Sequence, residues 1–230
     1  ILVDCGVEAT HHLSLEESEC DIVGVIDHHQ TSGGSSSLLF RDVRPHVAAS
    51  ATIAASYLRE QNLPPNAYLA TALMYALRSE TRGNQTHYSA TDRSVLPWLS
   101  RYFDPQTLAE IEDAPLSKAY YSDLVLALQS TFTYHGVAFC LLPRAEGAEI
   151  VGEVADLLIR NEETHRVFCG AVVGDDLVVS VRTDAQGGNA ADLVRRTLDG
   201  LGRGGGHAHR AGGKLAKCAT SEHVSRQLHE

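Results

Sequence analysis

Asp27, His28 and His29 close an unbroken apolar run, Ile22-Val23-Gly24-Val25-Ile26. A buried strand ending this way delivers one carboxylate and two imidazoles at the place where open α/β sheets keep their chemistry, outside the carboxyl ends of the strands. Carboxylate and imidazole together are a mixed hard and borderline ligand set, suited to divalent ions such as Mn2+ or Mg2+ that grip phosphate oxygens. By itself the tripeptide reads equally well as a strand end with two solvated histidines. Two further acids stand in comparable places: Asp4 ends the apolar run Ile1-Leu2-Val3, and Glu80 lies in the polar turn Ser79-Glu80-Thr81-Arg82-Gly83. Far downstream comes Gly204-Gly205-Gly206-His207. Consecutive glycines reach backbone angles closed to other residues and can offer successive N–H groups to an anion, with His207 as an added donor. A glycine-rich loop alone is more often a flexible connector. It is neither a Walker A loop, since Lys214 is not followed by Ser or Thr, nor a dinucleotide fingerprint, since no strand immediately precedes it.

These residues need elements to hold them. Residues 1–4 and 21–26 read as short buried strands that both deliver acids at their C-terminal ends. Residues 47–61, with Ser50 and Thr52 near the start, read as a helix stopped by Asn62-Leu63-Pro64-Pro65. A second helix spans 66–77, and Thr91 or Asp92 caps a third. Residues 103–113 form a Pro-containing helical connector and 115–131 a long amphipathic helix. The second half opens on a strand at 137–142 and a helix at about 149–160. An apolar hairpin follows, 166–173 and 177–182, around Gly174-Asp175-Asp176. Asn189 caps a last helix, ended by Gly200. The predicted domains are 1–114, a helical linker at 115–135, and 136–230.

The chain has 230 residues, 43% of them hydrophobic, with 19 Lys and Arg against 29 Asp and Glu, a net charge of −10. That balance excludes long duplex nucleic acid held on a broad basic surface. The charge is uneven, however: residues 182–217 carry seven basic side chains against three acidic, enough to focus a short polyanion. No apolar stretch is long enough to span a membrane. Cys5, Cys20, Cys140, Cys169 and Cys218 are odd in number, scattered and without a CxxC pair, which fits the reduced thiols of a cytoplasmic protein. The chain opens inside a strand without an initiator methionine, so the natural N-terminus is expected upstream.

In order, Val3-Asp4-Cys5-Gly6, Ile26-Asp27-His28-His29, Ser79-Glu80-Thr81-Arg82-Gly83, Val179-Ser180-Val181-Arg182-Thr183 and Gly204-Gly205-Gly206-His207 resemble the motifs of the DHH phosphoesterase superfamily with its C-terminal DHH-associated domain. Asp104-Pro105, Ala114-Pro115-Leu116-Ser117, Tyr120-Tyr121 and Ala127-Leu128 look like its branch of oligoribonucleases and 3′-phosphoadenosine 5′-phosphate phosphatases. The likeness runs along essentially the whole chain.

The resemblance implies an α/β fold, a parallel-sheet domain followed by a smaller mixed-sheet α/β domain, with the active site in the cleft between them. It implies a hydrolase of short nucleotide substrates: oligoribonucleotides of a few residues, linear or cyclic dinucleotides, or 3′-phosphoadenosine 5′-phosphate. Two divalent ions, usually Mn2+ with Mg2+ as the alternative, would activate a water. On this reading Asp4 and His28 are metal ligands, Asp27 orients His28, and His29 faces the substrate phosphate. Arg182, Arg203 and Gly204 to His207 would bind the substrate, and the protein could act as a homodimer. Glu80 stands where the family has aspartate, and its longer carboxylate is expected to serve as a ligand. The family's first motif, a histidine with a D-x-D pair, is absent and expected upstream; without it the two-metal ligand set is incomplete. The rival expectation is a nucleotide-binding regulatory module that has lost the metal chemistry. The other histidines, including His11, His12, His87, His135, His165, His209, His223 and His229, are expected in surface or structural roles.

Overall fold

A computed structural model describes residues 1–7, 21–29, 38–81 and 89–216. The chain divides into two compact units, Ile1–Ala114 and Pro115–Glu230.

The first unit holds three parallel strands, β1 (Leu2–Val3), β2 (Gly24–Asp27) and β3 (Phe40–Val43), in the order β1-β2-β3. The two expected strands are there, and β2 is central, with Val3 opposite Ile26 and Asp27 opposite Val43. The strand β3 was not expected. Phe40-Arg41-Asp42-Val43 has no apolar run because it is an edge strand with largely exposed side chains, and backbone pairing to β2 is what forms it. Four helices follow: α1 (Ser50–Glu60), α2 (Ala67–Glu80), α3 (Ala90–Leu99) and α4 (Pro105–Glu112). Their apolar stripes meet in a helical core that includes Leu77, Val95 and Leu99. The helix α2 runs three residues beyond the expected Leu77, so Ser79 and Glu80 form its last turn rather than a polar loop.

The third helix is capped by Ser89, not by Thr91 or Asp92. Ser89 Oγ accepts from the Asp92 N–H at 3.1 Å, and Asp92 Oδ2 accepts from the Ser89 N–H at 2.7 Å, a capping box. The fully buried Asp92 carboxylate also accepts from the Ala48 N–H at 3.2 Å and from Thr52 Oγ1 at 2.6 Å. One side chain thereby ties the start of α1 to the start of α3.

The second unit comprises α5 (Lys118–Ser130), β4 (Phe132–Tyr134), β5 (Val137–Leu142), α6 (Glu149–Leu158), β6 (Arg166–Val173), β7 (Asp176–Thr183), α7 (Ala190–Thr197), β8 (Arg203–Gly206) and β9 (Arg210–Leu215). Its sheet runs β4-β5-β6-β7-β9-β8, parallel between β5 and β6 and antiparallel elsewhere. On one face, α5 and α6 bury Ala127, Val151 and Val154 against Ala138, Cys140 and Leu142. On the other, α7 buries Val194 and Leu198 against Val181 and Ala211. Cys5, Cys140 and Cys169 are buried free thiols; Cys20 and Cys218 lie outside the described residues.

The glycine segment differs from the expected loop. Gly204, Gly205 and Gly206 lie in β8, an edge strand paired with β9, so they do not offer a run of successive N–H groups. Strand geometry turns the hydrogen-bonding groups of alternate residues away from β9. Gly204 is required for packing: a Cβ there would stand 2.2 Å from Val194 Cγ1 on α7, whereas a Cβ on Gly205 would meet nothing within 4 Å. Gly204→Ala is therefore expected to cost about 1–3 kcal/mol, and Gly205→Ala less than about 0.5 kcal/mol. Thermal unfolding of the two variants checks this; equal losses would contradict it.

Candidate metal centre

The parallel sheet of the first unit sets the site. Asp27 ends β2 fully buried, and Asp4 follows β1 with its N–H donating to the Ile26 carbonyl at 2.9 Å. Asp4 has a φ of 64°, the left-handed region that aspartate tolerates better than most residues, a local strain of the kind found at functional sites. Ligand atoms of Asp4, Asp27 and His29 all lie within 4.8 Å of one another. His28 is buried, and its Nε2 stands 3.4 Å from Asp4 Oδ1.

Asp27 organises the group. Its Oδ1 accepts the backbone N–H groups of His28 at 2.8 Å and His29 at 3.1 Å, and it stands 2.7 Å from His29 Nδ1. Asp27 thus holds the His29 imidazole and the backbone N–H of His28. A carboxylate can only accept, so His29 Nδ1 is the donor in this pair. Asp27 Oδ2 is buried and has no hydrogen-bond partner among the described residues. A buried unpartnered carboxylate oxygen is costly unless a cation or water completes it. That oxygen, the converging Asp4 carboxylate and the imidazoles fit a divalent ion of the Mn2+ or Mg2+ type. Beside them, burial first, then the negative charges of Asp27 and Asp4, push the Cys5 thiol up, which keeps it protonated.

Glu80 is exposed at the end of α2. It lines a hollow of about 300 Å³ together with Val3, Asp4, Ser50 and Ala51, but it is not among the side chains whose ligand atoms converge. Arg82 and Gly83 of its motif lie outside the described residues. At the end of β3, Arg44 donates to both oxygens of Asp42, at 2.8 and 2.7 Å, and the Tyr57 hydroxyl donates to the same carboxylate. The hydrogen bond from Arg44 holds Asp42 below the usual carboxylate range, and burial, then Asp42, push the Tyr57 hydroxyl up to about 12. Sequence reading missed this brace, although the polar residues within β3 were its signal.

In the second unit, Arg182 of the expected phosphate contact is bound within the fold. Its Nε and Nη2 donate to Asp156 at 2.8 and 3.3 Å and its Nη1 to Ser180 Oγ at 2.7 Å, with further bonds to backbone carbonyls. Arg210 shares the same aspartate at 3.0 Å. A guanidinium saturated in this way ties α6 to β7 and β9. Arg203 is exposed on β8, and the His207 N–H donates to the Arg210 carbonyl at 2.6 Å, closing the β8–β9 turn. Of the remaining histidines, His165 fills the expected structural role, with Nδ1 2.7 Å from Asp184, while His11, His12, His87, His223 and His229 lie outside the described residues.

No protein-family model matches the chain. An uncharacterized protein of Methanocaldococcus jannaschii is 28% identical over 94% of this chain and 44% of its own length. An exopolyphosphatase-related protein from Bacteroides fragilis superposes with a TM-score of 0.70 at 12% identity, over 90% of this chain and 62% of that one. RecJ from Thermus thermophilus, solved in complex with Mn2+, gives 0.53 at 16% identity over 99% of this chain and 43% of its own. The chain thus spans less than two thirds of the length of each of these three proteins. No helix among the described residues is long and apolar enough to cross a membrane. With a parallel sheet whose central strand runs into Asp27-His28-His29 and a mixed sheet after it, the chain has the α/β fold of the exopolyphosphatase-related protein and of RecJ.

Proposed function

We propose that the chain is the core of a metal-dependent phosphoesterase of the oligoribonuclease and 3′-phosphoadenosine 5′-phosphate phosphatase type, acting on short nucleotide substrates. The observation that carries this reading is the convergence of Asp4, Asp27 and His29 at the carboxyl edge of the parallel sheet, with Asp27 Oδ2 buried and without a partner among the described residues. Asp4, Asp27 and His28 would hold the metal, with Glu80 reaching it across the hollow it shares with Asp4. When bound, divalent ions of the Mn2+ class neutralise phosphoryl oxygens and make a water acidic enough to attack at neutral pH.

The chain's own residues supply the rest. Asp27 holds the His29 ring through Nδ1, so Nε2 is the atom that can take a proton from, or return one to, the reacting phosphate. In the second unit, His207, the exposed Arg203 and the backbone of the β8 edge would grip a substrate phosphate. Arg182, held by Asp156, would act from behind them by fixing β7 against α6.

The test is release of mononucleotide from pApA, or of phosphate from 3′-phosphoadenosine 5′-phosphate, by the full-length protein with Mn2+. Turnover is expected to vanish with chelator and in His28→Ala, whereas His207→Ala should mainly raise KM. Tight nucleotide binding with no turnover would overturn the hydrolase reading in favour of a regulatory module.

A further inference from the structure

We propose that Ser50 and the N-terminus of α1 form the pocket for the non-bridging oxygens of the substrate phosphate, beside Asp4; this deepens the phosphoesterase reading and rests on it. Ser50 lines the hollow of about 300 Å³ that also contains Asp4, Ala51 and Glu80. Ser50 is 5% exposed, and its Oγ has no hydrogen-bond partner among the described residues. A hydroxyl buried against a hollow and satisfied by nothing around it is costly unless a ligand completes it.

The helix end supplies further donors in the same place. The Thr52 N–H is taken by the Ala49 carbonyl at 3.0 Å, while those of Ser50 and Ala51 precede the first intrahelical acceptor. Ala49, the cap residue, has no side-chain oxygen to satisfy them. Two backbone N–H groups, one hydroxyl and the positive end of an 11-residue helix are the elements of a phosphate site. The start of the helix is fixed from behind, because Asp92 holds both the Ala48 N–H and Thr52 Oγ1. Asp4 and Glu80 in the same hollow would repel a bare anion. The pocket therefore takes phosphate together with a divalent ion and not without one.

The experiment is calorimetric titration of inorganic phosphate into the full-length protein, with and without Mn2+, alongside Mn2+ affinity measured by competition with a chelating dye. Ser50→Ala removes no internal hydrogen bond, so folding and Mn2+ affinity should stay within about twofold of wild type, while phosphate binding weakens about tenfold or more. Ser50→Pro also deletes the N–H. Proline suits the first helical position, and the extended backbone of Ala49 (φ −152°, ψ 152°) accepts a following proline. That variant should unfold at or above the wild-type temperature and bind phosphate more weakly still. Mn2+ binding with equal phosphate affinity in all three proteins, or with no phosphate binding in wild type, overturns the pocket. Wild-type protein that binds no Mn2+ overturns the metal centre, and the pocket with it.

Discussion

Asp27→Asn is expected to reduce turnover of pApA at least about 100-fold, the scale of losing a positioned proton-transfer group, while leaving the protein folded. The substitution is close to isosteric. The amide oxygen can still accept the three donors now on Oδ1, the N–H groups of His28 and His29 and the His29 ring. What changes is the other atom: a nitrogen with two N–H donors replaces the buried, unpartnered Oδ2. It cannot meet a cation, and the negative charge beside the His29 ring is gone. Mn2+ affinity should therefore fall as well, by about 10–100-fold, the usual loss when a group orienting a ligand is removed. Steady-state turnover and dye-competition titration on the same preparation check both, with circular dichroism to establish folding. Wild-type turnover in the folded variant would remove Asp27 from the site.

The largest expected effect on stability lies away from the metal ligands. Asp92→Ala strips acceptors from the half-buried Ala48 and Ser89 N–H groups and from the fully buried Thr52 Oγ1. A buried donor left without a partner costs about 1–3 kcal/mol; Thr52 bears that cost in full, and water reaching the half-buried Ala48 and Ser89 recovers part of theirs. A loss of about 3–5 kcal/mol is expected, large for a single substitution. Asp92→Asn should lose less, because it keeps one acceptor oxygen. Urea unfolding of both variants decides the matter: losses under about 1 kcal/mol, the ordinary effect of a point substitution, would mean that the carboxylate does not hold the two helix starts together. Since Asp92 fixes the first turn of α1, the milder variant should also weaken phosphate binding at Ser50.

Much of the first unit was legible because its signals are local. An apolar run that ends in Asp27-His28-His29 marks a buried strand delivering ligands, and no distant residue is needed to read it. Asn66 and Asn189 were legible as the starts of helices because a cap acts within three residues. The strands β3, β4, β8 and β9 were not legible. Edge strands and glycine-rich strands form through backbone pairing with a neighbour, so β3, β8 and β9 carry no apolar alternation, and β4 is only three residues long.

The amino-acid sequence by itself determined which chemistry the chain carries: the residue types, their place at strand ends, and an α/β order of elements. Tertiary structure alone decided how those residues are used. That Asp27 holds the His29 imidazole depends on the path of the chain after β2, and Arg182 is bound within the fold because Asp156, 26 residues away, faces it from α6. Gly204 serves the packing of α7 rather than a loop. The Ser50 hydroxyl became a candidate only once folding buried it beside Asp4 without a partner, since burial and hydrogen-bond satisfaction are properties of residues brought together across the fold.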